Sequence, residues 1–587
     1  MPPANPSSPP TKTVVWFLGT VWLILSLNLA WSVALFQPNV LTWDQWDFFA
    51  PLFSGGDWRE LFTYQHGPHR QGLGFVITSW ILDLTRWDAR FDSLWIAGLL
   101  SLASALALRL KGKLSGRLSW VDAWIPIVGL TLGQFEAILI APNASHSAFS
   151  LALMLALANA WLMRSATVRY LSGGLGAVAL TFTGFGLFAG AIMTVLIGVA
   201  TARDMYRGAW RSAVPGLIGL VIAVAGWAWF RSGYLFVPAV VGFRFPWTPL
   251  REYFQFIPLM LLQPTGVSGA TTLHYAAGGV LAILITLAAL VVLWKWIRTA
   301  EPSPGNEVVL FLVGAGALFV CNTAIGRVCL GITAGMSSRY VTLMFPLWLG
   351  IYFFAVTTKS RAYWTVSAVA LWAIAMWPYR DMTSRALSRW PGTIGATHAQ
   401  FAYYEQYTSN KAAWVDTYLR TGSIEAAQQA RGPAVYPHPP GTRMDEKLAF
   451  MKTRGLLFFA PERSFLPYFL GTRTIWNDEY PSSLIPRVVE DNTRLTFVTK
   501  QGGFAEMIVS GEQPDGGGVT LEIEYDGSTR KLALPKLPAV VAIPVQPGFN
   551  RMTLRRGVAA DASRPPVALK VEVPVLRNSP STGSIAF

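Results

Sequence analysis

Charge is scarce in this chain. Of 587 residues only 13% are Asp, Glu, Lys or Arg, about half the share in a soluble globular protein. With 52% hydrophobic residues and a mean hydropathy of +0.39, an ordinary soluble domain is excluded and a membrane protein is expected. Cysteine is nearly absent. Cys321 and Cys329 are the two present, about two helical turns apart and unable to bridge along a straight helix. A disulfide framework is therefore excluded, and both read as small apolar core residues. Acidic side chains are the scarcer sign, 32 against 47 Lys and Arg. Most of the positive excess lies before residue 378, with no basic tail and no nucleic-acid motif. It reports orientation in a membrane and excludes nucleic acid as a partner.

What the chain has in quantity is apolar and aromatic. Its 25 Trp and 34 Phe suit the two membrane–water interfaces, where aromatic rings gather. Residues 1–13 are rich in Pro and Ser and read as disordered. Residues 14–35 are long enough to cross a hydrocarbon core of about 30 Å, and no small-x-small cleavage site follows, so they read as a retained anchor. Further apolar runs lie at 92–110, 119–138, 146–163, 171–183, 184–200, 213–230, 272–294, 307–325, 340–357 and 362–378, which makes about eleven spans. The 171–200 stretch is too long for one straight span, and Thr183-Gly184-Phe185-Gly186 is where it can break.

With a cytoplasmic N-terminus, Arg109/Lys111/Lys113/Arg117, Arg164/Arg169, Arg203/Arg207/Arg211, Lys295/Arg298 and Lys359/Arg361 all fall on one side, as positive-inside sorting requires. This holds only if residues 71–88 rest on the membrane as an interfacial helix rather than crossing it. The opposite side then receives 36–91, the 136–145 loop, Thr183–Gly186, the 231–271 loop, Arg327–Arg339 and the tail. In a bacterium this means the inner membrane with a periplasmic C-terminus. Residues 14–378 form the membrane domain. Residues 379–483 read as a helical and linker region, helical over 398–430 and Pro-rich at 432–441. Residues 484–587 carry short strands at the spacing of a small β-sandwich. The predicted fold class is a polytopic α-helical membrane protein, N-in/C-out, with a C-terminal periplasmic α+β domain.

The densest ionisable stretch of the membrane domain is Trp43-Asp44-Gln45-Trp46-Asp47, continued by His66-Gly67-Pro68-His69-Arg70. Asp44 and Asp47, three apart, share a face if helical. A carboxylate at a membrane surface can serve as general base for an acceptor hydroxyl or amine, and two together can hold a divalent cation. Helix capping or plain solvation is the bland alternative. His66, His69 and Arg70 suit a phosphate, because the guanidinium offers a fork of donors and protonated His adds charge. Two histidines without a third ligand make a poor metal site. Glu136, at the end of an apolar run, is costly at membrane depth and therefore a functional candidate. Arg339 and Tyr340 open a later span on the same face, and Arg244 precedes an amphipathic stretch at 248–263 that can shape a lipid groove.

Acidic residues just after span one, an interfacial helix, many spans and a C-terminal outer domain together resemble the GT-C class of polytopic glycosyltransferases. That resemblance implies a polyprenyl-phosphate-linked sugar donor, a periplasmic glycan, lipid or protein acceptor, and a first-loop acid as catalytic base, matched here by Asp44 and Asp47. Gly67-Pro68-His69-Arg70 resembles an Asn-Glu-His-Arg-type segment of related bacterial proteins but departs at its first two positions, so no role of a Glu carries over. Gln134-Phe135-Glu136-Ala137 resembles a Gln-Trp-Glu-Asn segment, and Ser338-Arg339-Tyr340 a later Ser-Arg-Tyr. The resemblance covers roughly 14–378 and leaves the tail unassigned. An O-antigen polymerase or ligase would depend less on a first-loop carboxylate. A transporter or flippase would place ionisable residues at mid-membrane in matched halves, and a scaffold would tolerate loss of Asp44. The transferase reading requires Asp44, Asp47, His66, His69, Arg70, Glu136 and Arg339 to converge.

Overall fold

The computed structural model of the chain describes residues 12–376 apart from 239, 241, 267–268, 299–303 and 358–360, most of 407–459, and the strands and several turns between 475 and 587. Predictions for residues 1–11, 377–406 and most of the Pro-rich 432–441 lie outside the described residues. Among the described residues, seven helices are long and apolar enough to cross a membrane. They are Lys12–Ala34, Ala89–Ser115, Gly186–Tyr206, Trp210–Arg231, Thr272–Arg298, Pro304–Leu330 and Ser338–Thr357. The chain is a multi-pass membrane protein. Shorter apolar helices fill Gly72–Leu84, Ala148–Trp161 and Trp364–Met376.

Two expectations need correction. The 119–138 run is not one helix. It breaks into Trp120–Ala123, Trp124–Gly129, Leu132–Gln134 and the π-helical turn Glu136–Ile140, because Pro126 and two glycines interrupt the ladder. The cysteines are not core residues: Cys321 is exposed and Cys329 half-buried, as a lipid-facing helix surface permits. The 171–200 stretch does divide, into Ala166–Thr181 and Gly186–Tyr206. Gly184 sits at φ +50° in the turn between them, and a Cβ there would stand 2.6 Å from the Ser145 carbonyl oxygen.

The bundle has two chemically distinct ends. Helix Ala89–Ser115 starts against the end of the first helix, where the Ala89 amide donates to Asn39 Oδ1 at 2.9 Å, and runs back for roughly 40 Å at 1.5 Å per residue. At its far end buried charges are paired. Lys111 Nζ lies 3.0 Å from Asp122 Oδ2, whose other oxygen accepts from Tyr352 Oη at 2.6 Å. Glu307 accepts from Trp161 and Trp296 indoles at 2.9 and 3.3 Å, with Arg203 at 3.5 Å. Charges at this depth need such partners, since an unpaired one is costly to desolvate.

Helix Gly72–Leu84 buries Phe75, Val76 and Leu82 and exposes Trp80 and Leu84, the division an interfacial helix makes. The described part of 407–459 packs onto the first loop in one apolar cluster, which joins Trp46, Phe48 and Phe49 to Trp414, Met444, Leu448 and Met451. The C-terminal strands form a separate unit. One sheet has the order Ile475–Trp476, Thr493–Thr499, Gly548–Arg556, Val519–Tyr525, Ser528–Leu534. The other is built mainly on Gly503–Gly511 paired antiparallel with Ala539–Val545. Met507, Val509, Leu521, Ile523, Val541, Ile543 and Leu554 share its core.

Candidate active site

The first loop is pinned to the bundle before it presents any charge. The Thr42 hydroxyl donates to the Ile140 carbonyl, and the Thr42 amide to Gln45 Oε1 at 2.9 Å. Gln45 Nε2 in turn donates to the buried Asp92 at 3.1 Å. Trp46 is fully buried, with its indole on the Leu41 carbonyl at 2.8 Å. The turn Glu136–Ile140 is held alongside: its Ile138 and Leu139 carbonyls accept from Ser93 Oγ at 2.7 Å and Lys411 Nζ at 2.6 Å. A π-helical turn frees carbonyls from the regular ladder, and three side chains from three elements take them. Trp43 adopts φ 51°, a left-handed conformation that costs a bulky residue of order 1 kcal/mol or more. Its amide donates to the Val435 carbonyl at 2.7 Å, so the tail segment holds the strained residue next to Asp44.

The two aspartates part company. Asp44 precedes the short helix Gln45–Phe48 without a side-chain cap bond, which removes capping and leaves solvation as the bland reading. Its carboxylate is exposed and makes no hydrogen bond or ion pair among the described residues. Asp47 is half-buried and occupied: Tyr436 Oη donates to Oδ2 at 2.5 Å, and Lys447 Nζ stands 3.8 Å from Oδ1 while donating to the Trp46 carbonyl. Burial, then the hydrogen bond to Asp47, raises the Tyr436 phenol above its usual value.

His66 and His69 are paired across a hairpin. Gln65–His66 runs antiparallel to His69–Arg70 with His66 opposite His69, and Gly67 supplies φ +58° at the turn. His146 completes a cluster, its ring centroid 5.4 Å from His69 and 6.4 Å from His66. Phe48 and Phe185 wall it, at 5.7 Å from His66 and 4.1 Å from His69. Burial lowers the His66 imidazole, while the charges of Asp44 and then Asp47 pull the other way. His69 is held down to about 3 by burial and then by the Arg327 charge. An unfolded histidine titrates near 6.5 and takes up a proton the folded one refuses. His69 therefore stabilises the fold fully above about pH 6.5 and loses that contribution as pH falls toward 3. Melting followed between about pH 4 and 6.5 should show this slope, and His69→Gln should flatten it.

Arg70 makes structural bonds with both terminal nitrogens. It is buried, donates to the Thr63 carbonyl, to Phe230 O at 3.0 Å and to Ser232 O at 2.6 Å, and stacks over Phe182 and Phe230. A guanidinium whose two terminal nitrogens take three carbonyls ties the hairpin to helix Trp210–Arg231, while its buried Nε has no partner among the described residues. Glu136 and Arg339 meet. Glu136 Oε2 accepts from the Arg339 amide at 3.0 Å and from the Ser337 hydroxyl, and Arg339 Nε lies 3.7 Å away. The Glu136 amide donates to Ser338 Oγ at 3.0 Å. The pair is partly exposed, so it orients the guanidinium more than it stabilises the fold. The Asp44 charge acts on Arg339 as well. Tyr340 is buried with its ring 6.0 Å from Phe319, which packs 5.2 Å from Phe185 and so continues the histidine cluster's aromatic wall. Arg244 stands exposed on the loop before helix Arg251–Leu262, with no contact to these groups among the described residues.

Several participants were not singled out from sequence. Tyr436 and Lys447 lie almost 400 positions after Asp47, in a tail without a motif. His146 follows Glu136 in the chain but carries no pattern of its own. Among the described residues no three His, Cys, Asp or Glu side chains form a group suited to a metal ion.

No family model and no curated protein matches the chain. Among solved structures it is similar to the arabinofuranosyltransferase AftD from Mycobacteria, at 11% identity, over 96% of this chain and 60% of that one, with a TM-score of 0.29. This chain thus spans 60% of that protein's length, and so small a likeness carries no argument about chemistry.

Proposed function

We propose that this protein is a GT-C-type membrane glycosyltransferase. It moves a sugar from a polyprenyl-phosphate donor to a periplasmic acceptor hydroxyl on a glycan, lipid or protein, with Asp44 as general base. The observation that carries the reading is the division among three carboxylates at one end of the bundle. Asp47 is held by Tyr436 and Lys447, and Glu136 by Ser337 and Arg339. Asp44 alone is exposed and unengaged among the described residues. A base must be free to take a proton. In the step, Asp44 accepts the acceptor's proton as the oxygen bonds to the anomeric carbon. The bond from that carbon to the phosphate oxygen breaks, and polyprenyl phosphate leaves with the electron pair. Arg339, exposed and aligned by Glu136, is placed to meet the charge on the departing phosphate. Apolar side chains exposed on the adjoining loop, Leu235, Phe236 and Phe245, and Phe254 on the helix that follows it, suit a polyprenyl chain. That loop is tied to the hairpin by the Leu235 amide on Gln65 Oε1 at 3.2 Å.

The test is transfer by the purified protein in nanodiscs, with a panel of polyprenyl-phosphate pentoses and hexoses. Acceptor-dependent release of polyprenyl phosphate is expected with one of them, and release from none would remove the reading. Orientation is checked separately. Cysteines placed at Ser54 and Ser115 should react with an impermeant reagent only at Ser54 in cells whose outer membrane is permeabilised. Labelling at Ser115 alone would turn the site to the cytoplasm.

A further inference from the structure

Resting on the transferase reading, we propose that the cluster of His66, His69 and His146 is the subsite for the uncharged hydroxyls of the transferred sugar, and that the donor's phosphate is bound elsewhere. The ligand class is a neutral sugar ring, received by imidazoles that act as hydrogen-bond partners without charge.

The protonation of His146 follows from geometry, beginning at a group that has only one role. The backbone amide of His146 donates to Asn143 Oδ1 at 3.1 Å. An N–H can only donate, so that atom of Asn143 is the oxygen and the other is the NH2 group. This NH2 donates to Gln71 at 3.3 Å, which makes the receiving atom Oε1. Gln71 must then turn its own NH2 toward His146 Nε2, 3.1 Å away. Nε2 accepts and carries no proton, so the imidazole is neutral and its proton sits on Nδ1. The main chain of His146 thus fixes the tautomer of its own side chain through two amides. Phosphate recognition would want a charged imidazolium, which this relay opposes.

The rest of the cluster agrees. His69 is 8% exposed, and its Nδ1 has no hydrogen-bond partner, a buried polar atom for which a ligand hydroxyl is a fitting partner. His66 and His146 are half-exposed at the rim. Phe48 lies 5.7 Å from the His66 ring and 6.2 Å from His146, and Phe185 5.9 Å from His146. Aromatic walls with a few convergent polar groups are what a sugar-sized ligand needs. Arg70, the cation nearest in sequence, has both terminal nitrogens on carbonyls, which leaves only its buried Nε without a partner among the described residues. The exposed Arg339, held by Glu136, is left to the phosphate, and Asp44 acts on both Arg339 and His66.

The experiment compares His146→Phe and His66→Phe with the wild type in nanodiscs. The two variants keep ring area and remove the polar atoms, and their melting temperatures check folding. Two probes are titrated, bare polyprenyl phosphate and the same lipid carrying the sugar that is transferred. Losing one neutral hydrogen bond predicts about tenfold weaker binding of the sugar-bearing lipid, with bare lipid phosphate changed by less than about twofold. Equal weakening of both probes would make the cluster a phosphate site, and no weakening of either would leave the histidines outside the binding surface. Either result overturns the proposal. If the wild type binds neither lipid, the transferase reading fails. Methyl glycosides in saturation-transfer NMR then decide the subsite on their own, with a contact present in the wild type and absent in both variants supporting it.

Discussion

Asp44→Asn should abolish transfer while the protein still inserts, folds and binds its donor. A sugar hydroxyl is a weak nucleophile at neutral pH, and a positioned base contributes about 10²–10⁴-fold. Asparagine keeps size and polarity but cannot take the proton. Because Asp44 makes no hydrogen bond or ion pair among the described residues and does not cap its helix, no stabilising contact is lost with the charge. The turnover number should fall by the full factor with KM little changed, and raising donor concentration should not restore it. Asp47→Asn should behave differently. It breaks the contacts with Tyr436 and Lys447, so melting temperature and turnover should drop together. Near-normal turnover by Asp44→Asn, measured as release of polyprenyl phosphate, would move the base elsewhere.

Gly72→Ala should cost the fold more than any comparable exchange in the first loop. Gly72 holds φ +60°, and a Cβ there would stand 2.4 Å from the Phe182 carbonyl oxygen. The left-handed conformation alone costs an L residue roughly 1–2 kcal/mol, and the backbone carbonyl cannot swing aside. This is where helix Gly72–Leu84 meets the break between Ala166–Thr181 and Gly186–Tyr206. The Arg70 carbonyl accepts there from the Gly184 amide at 2.8 Å. Pushing the two apart displaces His69, Arg70 and Gln71 at once, so melting temperature, donor binding and transfer should all fall. Gly67→Ala is the control. It shares the left-handed backbone, at φ +58°, but meets nothing within 4 Å, so only the conformational cost should register. Equal losses in both variants would mean that the close approach to Phe182 does not matter.

Much of the scaffold can be read from hydropathy alone, because lipid imposes the length and composition of each helix. The break at Thr183–Gly186 is legible for the same reason: one apolar stretch is too long for a single span, and these four residues include two glycines. The meeting of Glu136 with Arg339, 203 positions apart, is legible only as membership of one face once the basic loops set the topology. The 119–138 run misleads because apolar content does not reveal whether a segment is one helix or four short turns. Arg70 misleads for a related reason. Sequence gives the donor fork but not the three carbonyls that occupy it. The Asn143–Gln71–His146 relay joins two distant segments through amides, which no local pattern announces. Tyr436 and Lys447 stand in a tail whose spacing carries no signal for a carboxylate.

The dependence of the first loop on that tail sets an order of events in the making of the protein. Asp47 and Tyr436 are 389 positions apart, which at about 5–20 residues per second separates their synthesis by roughly 20–80 s. Throughout that interval the ribosome has already delivered Trp43, Asp44 and Asp47 to the membrane, but not the Val435 carbonyl that steadies Trp43 or the side chains that hold Asp47. The nascent chain therefore carries Asp44 and Asp47 without the contacts that hold Trp43 and Asp47. A chain released early, or cut before residue 435, inserts most of its spans yet lacks a finished site. The candidate site is complete only once residues 435–447 have been made and have docked, so on the proposed reading incomplete copies would not transfer sugar.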